Sequence, residues 1–72
     1  MMTSIKFYRA LAGDERGSYL GAATRNSRGW LFLPAVSGHK PGRKRHSTWE
    51  DCLPRWVNYP NGCMSERAEE AA

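Results

Sequence analysis

Seventy-two residues with eleven Lys and Arg against seven Asp and Glu, a formal charge of +4, amount to one domain at most. A chain this short buries a small core, and its stability leans on a metal, a disulfide or a partner. No apolar stretch reaches the length of a transmembrane helix, so no membrane role is expected, and two cysteines are too few for a disulfide framework.

Ile5 to Leu11 reads as a strand, with Ile5, Phe7 and Leu11 on one side and Lys6, Tyr8 and Ala10 on the other. Ala12 to Gly17 is turn chemistry, supplied with Gly13, Asp14 and Gly17. Ser18 to Arg25 is a second strand, in which Gly21 marks a bulge or a close approach. Asn26 to Gly29 is a hairpin loop. Trp30 to Val36 is the strongest strand. It is apolar on both faces and ends near Pro34. Ser37 to Gly42 is a loop, and Arg43 to His46 forms a short edge strand guarded by its charges.

Ser47-Thr-Trp-Glu50 matches a helix capping box. Trp49, Cys52, Leu53, Trp56 and Val57 then recur as one helical face, with Pro54 bending the helix on its outer side. Tyr59 to Gly62 is a turn, and residues 64–72 read as a frayed polar tail. The expected fold is α+β, a single domain over residues 1–63. It is a three- or four-stranded antiparallel meander with one C-terminal α-helix packed on one face. Its core is expected from Ile5, Phe7, Leu20, Leu31, Leu33, Trp49, Leu53, Trp56 and Val57.

The charges are distributed one-sidedly. From Arg16 to Trp49 there is no acid, while Arg16, Arg25, Arg28, Lys40, Arg43, Lys44 and Arg45 are basic. Such a surface sets up a positive potential that polyanions feel. Arg43 and Arg45 have the planar fork that suits phosphate, and Lys40 and Lys44 act as point charges. Arg25 and Arg28 flank the hairpin loop and extend the patch. Trp30, beside them, is a candidate for stacking on a base if exposed, and a core or cation–π residue otherwise.

His39, His46, Cys52 and Cys63 are the zinc-type ligands, but no two form a close pair of the C-x2-C kind. The adjacent acids Asp14-Glu15 and Glu50-Asp51 indicate no reaction, and Gly13 and Gly17 are isolated turn residues rather than a phosphate loop. No catalytic residue, metal or cofactor is expected. Lys6 and Arg9 interrupt the opening apolar residues, so the start does not read as a signal peptide. A cytoplasmic location with both cysteines as free thiols is expected.

Gly29-Trp-Leu-Phe32, then Gly42-Arg-Lys-Arg45, then Thr48-Trp-Glu50 resembles the small sheet-plus-helix DNA-binding modules of the AP2 and integrase-arm type. The likeness covers roughly residues 18 to 57. It implies a sheet docked on DNA, with Arg25, Arg28, Trp30, Arg43 and Arg45 as contacts. Two functions are therefore carried forward. The first is a non-enzymatic nucleic-acid-binding module whose basic loop and edge strand hold phosphates, with DNA favoured over RNA. The second is an inhibitor or adaptor of the phage or mobile-element type, binding an acidic surface of a host protein complex through the same basic surface.

Overall fold

A computed structural model describes residues 2–13 and 15–70; Asp14 of the expected turn, and Ala71 and Ala72 of the expected tail, lie outside them. Four antiparallel strands form one sheet: β1 (Met2–Ala10), β2 (Arg16–Asn26), β3 (Gly29–Pro34) and β4 (Cys63–Glu70), in the order β3-β2-β1-β4. Between β3 and β4 lie one helical turn, α1 (Trp49–Cys52), and a single 3₁₀ turn at Arg55–Val57. Among the described residues no helix is long and apolar enough to cross a membrane.

The alternation in β1 decides which face is covered. Ile5 and Phe7 are 4% and 0% exposed, while Lys6 between them is exposed. Ile5 lies opposite Ala23 and Phe7 opposite Gly21 of β2, and Ala23 lies opposite Phe32 of β3. The covered face thus runs through Phe7, Ala23 and Phe32. Trp49, Cys52, Leu53 and Trp56 pack against it, and Val57 is buried in it. Phe7 is its centre, with ring centroids 6.1 Å from Phe32, 5.8 Å from Trp49 and 5.8 Å from Tyr59.

Gly21 shows both features expected of a strand glycine. Phe7 pairs with Gly21 but Tyr8 pairs with Tyr19, which leaves Leu20 as a bulge residue, buried in the core. Gly21 has φ +142, and a Cβ there would meet Leu33 O at 2.5 Å and Phe32 Cζ at 2.7 Å. The absent side chain is what lets the Phe32 ring lie over β2.

Several expectations are corrected. β3 is turned over: Trp30 and Phe32 are buried, while Leu33 is 44% exposed and Leu31 only half-buried on the opposite face. Leu11 lies beyond β1 and is 47% exposed. Residues 64–70 are no frayed tail; with Cys63 they form β4, which pairs with β1 from Met2↔Glu70 to Arg9↔Cys63. The segment Arg43–His46 contributes only one bridge, His46 to Trp30. The helix is one turn long, because Pro54 has no N–H to continue it. Its cap is Thr48, not Ser47, and the Thr48 hydroxyl accepts from Asp51 N at 3.3 Å.

Candidate functional site

The chain leaving β3 turns back and runs beside β3's outer edge. Trp30 N donates to His46 O at 2.7 Å, and His46 N donates to Trp30 O at 2.8 Å. Arg45 Nη1 donates to Gly29 O at 3.0 Å. Gly29 permits this approach. Its φ is +118, and a Cβ on it would lie 2.5 Å from His46 O. At the other end of the basic run, His39 N donates to Val36 O at 3.2 Å. The His39 imidazole also stacks on Trp56, 4.2 Å between centroids at 26°. The two histidines are therefore tethers, and the segment from Lys40 to Lys44 is held between them.

This tethering brings together residues far apart in the chain. Arg25 sits on β2 opposite Trp30, and Arg28 sits in the β2–β3 turn, where its N–H donates to Asn26 Oδ1 at 2.8 Å. Arg45 reaches the same turn through Gly29. Arg43 is exposed, and Lys40 and Lys44 line a cavity of about 190 Å³ between the run, β3 and Trp56. Among the described residues, none of these six cations pairs with a carboxylate. Arg16, the seventh, is engaged elsewhere: it bridges to Glu66 at 2.5 Å and lies 4.8 Å from the centre of the Tyr8 ring.

Comparison with protein-family models, curated proteins and solved structures finds no match to this chain.

Trp30 is removed from the contact set. It is 5% exposed, its ring belongs to the core, and it has no open face for a base. Tyr8 and Tyr19 do lie side by side across the sheet's other face, 5.2 Å apart, with Tyr19 42% exposed. His39, His46, Cys52 and Cys63 do not converge, and no group of three or more His, Cys, Asp or Glu is placed to hold a metal among the described residues. Both thiols are free. Burial is the main cause that pushes Cys52 up to about 11; the Asp51 and Glu50 carboxylates add to it against a lowering backbone hydrogen bond. Burial raises Cys63 as well. Neither is a thiolate at neutral pH, so neither is an activated nucleophile.

In the sequence His39 and His46 stand out as zinc-type ligands, and His46 also as the end of the expected edge strand. Their tethering role had one signal in the sequence, the Gly29-Trp30 pair, since a glycine opening a strand allows another backbone to approach closely.

Proposed function

We propose that the protein is a non-enzymatic nucleic-acid-binding module that grips the phosphate backbone along the β3 edge. The observation that carries the reading is six cations unpaired with any described carboxylate: Lys40, Arg43, Lys44 and Arg45 on a loop tied down at both ends along β3, with Arg25 on β2 and Arg28 in the β2–β3 turn. Tethering matters because an ordered loop loses less conformational entropy when it binds. The contacts are Arg25, Arg28, Lys40, Arg43 and Lys44, with Arg45 adding charge while it holds the loop. DNA is the favoured polymer, on the resemblance of the strand, basic turn and capped helix to DNA-binding modules.

The test is a fluorescence titration of labelled DNA across salt. Each phosphate neutralised on duplex adds about −0.9 to the slope of log affinity against log salt, so five contacts give about −4.5. Raising salt from about 50 to 200 mM then weakens binding roughly 500-fold. Replacing Arg25 and Arg28 with Ala should bring the slope to about −2.7 and weaken all sequences alike. Absence of binding at the lowest salt would overturn the reading.

A second reading, a protein-binding inhibitor or adaptor, has its own support on the opposite sheet face. There Leu33 and Tyr19 are 44% and 42% exposed beside half-buried Leu31. Loss of the nucleic-acid reading in that titration would promote it.

A further inference from the structure

We infer that the cavity between β3 and the basic run holds one unstacked pyrimidine base of a single strand, with the flanking phosphates on Lys40 and Lys44. The inference rests on the nucleic-acid reading and narrows it to a strand form and a base class.

Size comes first. A cavity of about 150 Å³ holds benzene, and pockets for drug-sized ligands begin near 300 Å³. At about 190 Å³ the cavity fits a single ring and little more. The walls come second. Phe32, Trp56 and Leu31 supply apolar and aromatic surface, while Lys40, Lys44 and His46 supply the polar part. A dry cavity would suit an alkyl group, and a purely cationic one would suit bare phosphate. Both kinds of wall around one ring-sized space match a planar ring attached to an anion.

The donors decide the ring. Lysine ammonium groups donate hydrogen bonds and accept none. The ring should therefore be rich in acceptors, and among the single-ring bases that fit the cavity thymine presents two carbonyl oxygens. Trp56 is braced for stacking, since His39 lies parallel to it and Phe32 meets it edge-on at 5.7 Å. A base enters such a cavity only when it is out of a duplex stack, at least cost from a single strand.

Gly42 allows a test that leaves every charge in place. A Cβ on Gly42 meets one atom within 4 Å, Leu31 Cδ1 at 3.9 Å, so a larger side chain there has room and occupies the cavity. Fluorescence anisotropy would compare a short oligothymidylate, an oligoadenylate and an abasic strand of the same length. The wild type should bind the thymidylate roughly 5- to 150-fold more tightly than the abasic strand, the range reported for stacking one base. It should also prefer thymidylate to adenylate. In Gly42→Leu the thymidylate advantage should disappear while abasic-strand affinity stays unchanged.

Equal affinity for the three strands in the wild type, or no binding to any of them beside retained binding to duplex, would overturn this inference and leave the phosphate reading standing, whereas no binding to single strands or duplex would overturn both. A preference for adenylate, or an undiminished thymidylate preference in a folded Gly42→Leu, would also overturn it. If that variant does not fold, nitrogen-15 spectra of the wild type decide. Shifts on adding oligothymidylate should centre on the Trp56 indole N–H and the Leu31 and Gly42 amides, and shifts confined to Arg25 and Arg28 would overturn the inference.

Discussion

Gly29→Ala removes no charge and no core atom, yet it should damage both stability and binding. The new Cβ would lie 2.5 Å from His46 O, closer than any real contact, and at φ +118. Holding a non-glycine residue in such a conformation costs about 1–3 kcal/mol. Relieving the clash pushes His46 away and breaks its two hydrogen bonds to Trp30. Those are worth about 0.5–1.5 kcal/mol each. The total is about 2–6 kcal/mol, against a stability of about 4–11 kcal/mol for a domain of 72 residues. Urea denaturation reads it directly: a loss near 3 kcal/mol moves the midpoint by more than about 1 M. Hydrogen exchange adds the location, since the His46 amide should lose its protection first. DNA affinity should fall too, because the cations remain but their backbone is no longer fixed. An unchanged midpoint with the His46 amide still protected would refute the tethering argument.

Two further perturbations test the core and the thiols. Phe7→Ala removes a ring that is 0% exposed and touches three other aromatics, so it should cost about 3–5 kcal/mol, whereas Leu33→Ala, at 44% exposure, should cost under about 1 kcal/mol. Similar denaturation midpoints for the two would show that β3 has been assigned to the wrong face. For Cys52, the folded thiol holds its proton more tightly than the unfolded one, with a pKa of about 11 against 9.0. Its contribution to stability is therefore complete below about pH 9 and fades as pH rises towards 11. The stability difference between wild type and Cys52→Ala should shrink across that interval, and a constant difference would count against burial as the cause.

The first three strands were legible because turn residues bound them and β1 alternates cleanly. The helical spacing of Trp49, Cys52, Leu53, Trp56 and Val57 correctly named the residues that meet the sheet. It misnamed the local structure, because Pro54 splits the segment into one helical turn and one 3₁₀ turn that still present the same side chains. β3 was illegible in a different way. Trp30, Leu31, Phe32 and Leu33 include no polar residue, so periodicity cannot say which pair faces inward. The space over Gly21, which takes the Phe32 ring, decides it. β4 was hidden by composition: Ser65-Glu-Arg-Ala-Glu-Glu70 is poor in β-branched and aromatic residues, and the strand is imposed by pairing with β1, where Lys6 lies opposite Glu66. The cations of the candidate site could be read from the charge map alone. The cavity could not, since it depends on the path of the loop between His39 and His46.

The pairing of β4 with β1 has a consequence for the chain as it leaves the ribosome. β1 is made first and takes its place in the middle of the sheet, but one of its two edges has no neighbour until residues 63–70 have emerged. Throughout that interval the nascent chain carries a strand with open hydrogen-bonding groups beside the core residue Phe7. Synthesis that halts before Cys63 leaves a strand edge able to recruit another chain. The charged stretch after Gly62 thus covers the edge of β1 and puts in its place an edge strand whose exposed Glu66 and Arg67 discourage pairing with another chain.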